Sequence, residues 1–249
     1  MTGILQGLVG LGIILLSAVL MVGVVAWQRK SPASFREIPA FTRLRNSVGR
    51  IVEGGTRLHV SLGHGALTSP QSGATLAGLV LLGRMVELTS GGDQPPIATS
   101  GDAALAILSQ DALQTGSQAF APRKYDLTNG RLTGLTPFSY AAGAIPAIHD
   151  NNVSSNVLIG NFGPEVALLA EAAEQENSLT MAASDNLTAQ AVLFASAREP
   201  LIGEELFATG AYVDAGPLHA ASLRVQDIMR WLIIIVILVG ALLKLAGFL

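Results

Sequence analysis

Four short loops hold the residues best able to do chemistry. They are Gly63-His64-Gly65, Ser100-Gly101-Asp102, the stretch from Gly160 through Asn161 and Gly163 to Glu165, and Ser184-Asp185. Each follows a predicted strand and leads toward a predicted helix. Glycine turns at helix N-termini expose backbone N–H groups, which favour an anion such as a phosphate or a carboxylate. The candidate ligand-binding residues are therefore Gly63, His64, Gly65, Ser100, Asp102, Gly160, Asn161, Gly163, Ser184 and Asp185. The sharper fingerprints are missing. Thr68 stands where a dinucleotide motif needs its third glycine, and no Lys-Ser/Thr follows Gly163 as a P-loop requires.

Catalysis has fewer candidates. His64, between glycines at a strand end, would be well placed as a general base. A turn histidine bonded to backbone accounts for it more simply. His59 falls inside a strand, while His149 and His219 stand alone. No histidine pair has metal-ligand spacing, so no metal site is expected. Cys is absent, which excludes disulfides, thiolate zinc sites, iron–sulfur clusters and a Cys nucleophile. No serine has the Gly-x-Ser-x-Gly context of a nucleophile elbow. Glu204-Glu205, near a helix start, suit the helix dipole without catalysis. No catalytic residue and no cofactor are predicted.

The elements that must position these loops alternate between strand and helix. Predicted strands are Arg57–Leu62, Pro95–Ser100, Ser155–Ile159 and Leu179–Ala183, with a weaker one near Arg131–Leu135. Predicted helices are Thr75–Leu88, Ala103–Leu113, Ser139–His149, Pro164 to about Asn177, Leu187–Ala197 and Pro200–Tyr212. Such alternation implies an α/β fold: a Rossmann-like, mostly parallel sheet with helices on both faces. Ligands bind such sheets beyond the carboxyl ends of the strands, where all four loops fall. A faint echo between the two halves suggests a doubly wound sheet built by duplication.

An apolar stretch flanks this domain on each side. Residues 3–27 and 231–249 form the predicted transmembrane helices, since about 20 apolar residues suffice to cross a bilayer. The first carries no basic residue before it, unlike a secretory signal. Residues 28–55 hold a basic amphipathic helix, with Phe41, Leu44, Val48 and Ile51 at helical spacing and Arg43, Arg45 and Arg50 off that stripe. The helix fits anionic headgroups and packing on the domain equally well. Residues 56–213 form the α/β domain, and a helix over 217–230 runs straight into the second span.

Arg29, Lys30, Arg36, Arg43, Arg45 and Arg50 follow the first span, and Arg224 and Arg230 precede the second. By the positive-inside rule the domain faces the cytoplasm and both termini lie outside. Arg29, Lys30, Arg43, Arg45, Arg50, Arg230 and Trp231 are the candidate membrane-interface residues. Only 13% of residues are charged and the net charge is −3. That argues against nucleic acid as a partner.

The segments RLHVSLGHG (57–65), TLAGLVLL (75–82), QDAL (from 110), SYAAGA (from 139), SNVLIGNFG (155–163), EPLIGEELFATGAY (199–212) and LRVQDIMRW (223–231) resemble a family of uncharacterised two-span bacterial membrane proteins, a domain of unknown function. The resemblance covers nearly the whole chain. It implies a bacterial inner-membrane protein with two spans and one α/β domain, and it carries no activity, cofactor or catalytic residue.

Two functional expectations follow. One is a non-enzymatic, membrane-anchored module that forms homo-oligomers or scaffolds other membrane proteins. Its support is the double tether and the glycines Gly3, Gly7, Gly10, Gly12 and Gly23 of the first span, since small residues let membrane helices pack closely. The other is a small-molecule or nucleotide sensor, or a degenerate enzyme, that uses the strand-end crevice.

Overall fold

A computed structural model describes residues 2–28, 35–70, 72–120, 126–149 and 152–247. The chain divides into two compact units, Glu37–Val213 and a second formed by Met1–Arg36 with Asp214–Leu249.

The first unit is built on a six-stranded sheet: β1 (Arg57–Gly63), β2 (Ile97–Ser100), β3 (Gly130–Leu132), β4 (Val153–Asn161), β5 (Leu179–Ser184) and β6 (Glu199–Leu201). The spatial order is β3-β2-β1-β4-β5-β6 and every pairing is parallel. The fold is Rossmann-like α/β, as the strand–helix alternation predicts. Strand order reverses between β1 and β4, so the loops that leave these two strands part at the topological switch point.

The helices of this unit are α2 (Pro39–Gly54), α3 (Ser72–Thr89), α4 (Ala103–Phe120), α5 (Pro137–His149), α6 (Val166–Gln175), α7 (Leu187–Ser196) and α8 (Glu205–Tyr212). Pro39 opens α2, where a missing N–H costs nothing, and Gly55 closes it in the left-handed conformation at φ 63°. The apolar stripe of α2 is buried: Phe41, Leu44, Val48 and Ile51 all turn inward. Over β4 and β5, helices α5, α6 and α7 enclose a core of Tyr140, Ile148, Leu158, Phe162, Leu169 and Leu193. Each large apolar side chain buried this way contributes about 2 kcal/mol.

Three elements differ from the sequence reading, the first being α4, which runs on to Phe120 instead of ending at Leu113. Pro200 lies in strand β6, not in a helix, and α8 starts only at Glu205. An edge strand tolerates proline because one side of its ladder has no partner to receive an N–H. The weak strand in the polar stretch pairs as Gly130–Leu132, earlier than read, because Ala98, Thr99 and Ser100 of β2 fix its register.

The second unit pairs α1 (Thr2–Gln28) with α9 (Pro217–Leu245). Both helices are long and apolar enough to cross a membrane. They meet through Val24, Ala221 and Val225, with Leu20, Met21, Val25 and Met229 packed around them. The Arg224 guanidinium lies over the Trp27 ring, 5.3 Å from its centroid.

Candidate functional site at the switch point

Strand β1 sends alternate side chains to opposite faces. Leu62 approaches Gly78 of α3, whereas Ser61 points to Tyr140 of α5. That second face is polar yet fully buried. His59 Nδ1 lies 2.9 Å from Asn156 Oδ1, and its Nε2 lies 2.9 Å from Thr99 Oγ1. The Asn156 amide nitrogen donates to Ser178 Oγ at 2.7 Å, and that hydroxyl donates to the Ala173 carbonyl at 2.8 Å. This order assigns the proton to Nδ1 and leaves Nε2 to accept from Thr99. Burial pushes His59 down from 6.5 to about 4, so the ring is neutral at physiological pH.

The network continues toward the carboxyl end of β1. Tyr140 Oη shares a hydrogen bond with Ser61 Oγ, accepts from the Gly63 amide at 3.2 Å and lies 3.4 Å from Thr99 Oγ1. Burial raises the Tyr140 phenol above its usual range. Its ring meets that of His64 edge-on, with centroids 6.4 Å apart.

At the switch point the loops after β1 and β4 are stitched together. Gly63 takes φ 76°, and a Cβ there would sit 2.2 Å from the Asn161 carbonyl oxygen, so only glycine fits. The His64 amide donates to that same oxygen at 3.1 Å, and the Gly101 amide donates to the Gly63 carbonyl at 2.8 Å. Asp102 Oδ1 accepts from the Leu105 amide at 3.0 Å, capping α4, and Asn186 Oδ1 accepts from the Thr188 amide at 2.9 Å, capping α7. Ser184 Oγ accepts from the Phe162 amide at 3.1 Å. Asn161 Nδ2 donates to Asp185 Oδ1 at 2.7 Å. Several of the N–H groups that an anion would need are thus already taken by the protein itself.

One group stands out against this satisfied frame. The Glu165 side chain, 1% exposed, reaches back so that Oε1 accepts from the Gly163 amide at 2.7 Å. His64 Nε2 lies 2.9 Å from the same oxygen, an ion-pair distance. The ring does not line an N–H up on that oxygen. His64 Nε2 and Glu165 Oε2 are consequently buried without a hydrogen-bond partner, as is Thr75 Oγ1 in the first turn of α3. A Cβ on Gly65 would fall 3.0 Å from Thr75 Oγ1 and 2.6 Å from Asn161 Cβ, which places the threonine at the same crossing. Leaving a buried polar atom unpaired costs about 1–3 kcal/mol.

Chemically, a buried carboxylate beside an imidazole orients the ring. With Nε2 turned to Glu165, Nδ1 remains to meet a ligand. Among the described residues, no group of three or more His, Asp or Glu is placed to hold a metal ion.

All four predicted loops therefore gather at the carboxyl edge. Gly63, His64, Gly65, Gly160, Asn161 and Gly163 meet at the switch point, with Asp185 joined through Asn161. Ser100 and Asp102 lie at the end of β2, where a Cβ on Gly101 would fall 2.6 Å from His64 Cβ. Glu165 entered the sequence reading only as the end of a loop and Thr75 only as the start of a helix, neither with a site role. Glu165 closes the Gly160–Glu165 loop, and the signal was a carboxylate just after Gly-Pro at a switch-point strand. Thr75 had none, being one of several small residues opening a helix.

The membrane-interface candidates are scattered. Arg43 pairs with the nearly buried Glu199 of β6, and Arg45 and Arg50 lie on the exposed side of α2. In the second unit Arg230 lies 3.8 Å from Asp227, and Trp231 is exposed. Arg29 and Lys30 fall outside the described residues.

No curated protein and no solved structure matches the chain. A family model described as a domain of unknown function, DUF6754, matches residues 5–248. With nearly its whole length covered, the chain belongs to that family.

Proposed function

We propose that this protein is a membrane-anchored binding module whose α/β domain takes a small molecule at the switch point between β1 and β4. The observation that carries this reading is the buried, unpartnered Oε2 of Glu165 beside His64, with a second unpartnered oxygen, Thr75 Oγ1, against Gly65 of the next loop. Buried polar atoms normally have partners, and orphans gathered where this fold binds ligands mark a site that something else completes. The role is sensing, not catalysis. The domain faces the cytoplasm with both termini outside, an orientation supported by Arg36, Arg43, Arg45 and Arg50 after the first span and by Arg224 and Arg230 before the second. A thermal-shift screen of the full chain in detergent, with cationic, anionic and neutral metabolites, tests the reading. Stabilisation that disappears in Glu165→Gln and His64→Ala is expected; no stabilisation by any compound would overturn it.

Self-association through α1 is a second reading, with its own support. A Cβ at Gly7, Gly10, Gly12 or Gly23 would meet nothing within 4 Å, so α9 does not use the small-residue surface of α1. A bilayer leaves such surfaces to pack against other helices. A monomer mass in mild detergent would count against it.

A further inference from the structure

Four of the six connections at the carboxyl edge of the sheet carry an acidic residue. The connections that leave the strands there are 64–71, 101–102, 133–136, 162–165, 185–186 and 202–204. Their described residues contain no Lys or Arg. They carry Asp102, Glu165, Asp185 and Glu204, with Glu205 opening α8. His64 is the only basic side chain among those described residues. The nearest guanidinium along the chain, Arg131 of β3, turns back to the Thr128 carbonyl at 2.6 Å, toward the other edge. Arg84 of α3 is held by the Val213 carbonyl at 3.0 Å and by Glu87 at 2.7 Å.

Acidity alone would describe a solvated surface. Glu165 adds an independent observation. Its carboxylate is buried, one oxygen is filled by the Gly163 amide, and the other oxygen lacks a donor. A group that completes it must donate a hydrogen bond. Nearby carboxylates favour a positive charge on that donor and repel a phosphate. At the starts of α4 and α7 Asp102 and Asn186 already accept a backbone amide, and Glu165 accepts the Gly163 amide in the turn before α6, which disfavours an anion at these three places.

We infer that the switch point binds an organic cation, an ammonium or guanidinium group seated on Glu165 Oε2 beside His64 and Thr75. The inference rests on the ligand-site reading above and fixes the ligand's charge. Oε2 accepts an N–H from the cation, the Thr75 hydroxyl accepts a second, and His64 Nδ1 offers a further contact.

Agmatine, which carries both groups, is the probe, with inorganic phosphate, AMP and glucose as controls. Titration calorimetry on the full chain in detergent should detect agmatine binding that weakens as salt is raised. Glu165→Gln keeps an acceptor for the Gly163 amide and should weaken binding at least about tenfold. Asp185→Asn, at the partly exposed rim, should weaken it by about threefold, and this holds if the Glu165 variant fails to fold. Binding of phosphate, AMP or glucose in place of agmatine, lost in Asp185→Asn or Glu165→Gln, would overturn the cation assignment and leave the ligand site standing. Binding of none of the four would overturn both. Agmatine binding unchanged in Asp185→Asn and Glu165→Gln would overturn the assignment to this edge.

Discussion

His59 and His64 lie five residues apart on one strand and its exit loop, and they live in opposite environments. His59 is completely buried, and both its ring nitrogens have partners, Asn156 and Thr99. His64 is partly exposed, and its Nε2 faces a carboxylate without a hydrogen bond. Inside the sheet both nitrogens of His59 are satisfied, and losing either partner there would cost stability. At the strand end a lapse is tolerated where a ligand can complete it. The difference separates a histidine that specifies the core from one left open to the ligand site we propose.

The largest effect expected from this contrast is on stability. His59→Leu leaves Asn156 Oδ1 without its donor and Thr99 Oγ1 with only the 3.4 Å contact to Tyr140, and should cost about 4 kcal/mol in chemical denaturation. His64→Ala should cost no more than about 1 kcal/mol. Equal losses would erase the distinction.

Acid provides the next test. The folded pKa of His59 lies near 4, below the unfolded value of 6.5, so the unfolded chain takes up a proton first. Its contribution is therefore intact above pH 6.5 and declines as pH falls toward 4, by about 3 kcal/mol in all. Glu174 and Asp126, both held below their usual values, lose their contributions only at the acid end of this window and beneath it. His59→Leu should remove this part of the slope between pH 6.5 and 4.

Gly63 links the two histidines through the Tyr140 contact to its amide. Gly63→Ala combines an unfavourable φ with overlap on the Asn161 carbonyl and should cost about 3 kcal/mol in denaturant melts. Full stability in that variant would mean the β1 and β4 loops are not held as tightly as the comparison requires. The smallest effect on stability belongs to the site: Glu165→Gln should shift the unfolding free energy by less than about 1 kcal/mol while abolishing ligand stabilisation. A large loss of stability there, with ligand effects unchanged, would place Glu165 with His59 as a core group.

Much of this was legible in the chain. Alternating strand and helix patterns predicted the parallel sheet, and the glycine turns after Leu62 and Ile159 marked the strand ends that meet at the switch point. Pro200 misled, because a proline opens a helix and an edge strand equally well. Glu165 was read only as the last residue of a loop, since nothing in the sequence says which way a carboxylate folds back. The anion-binding expectation was reasonable for exposed helix starts. It weakened once Asp102, Asn186 and Glu165 were seen to occupy the amides themselves.

The sequence alone determined most of the elements, the two apolar helices and the fold class, because periodicity and hydropathy are local properties of the chain. The tertiary structure decided which polar residues are satisfied. His59 finds Asn156 97 positions away, and Glu165 meets His64 across the gap between two strands that reverse the sheet order. Hydrogen-bond satisfaction depends on distance and angle between residues remote in sequence, and no reading of spacing supplies those.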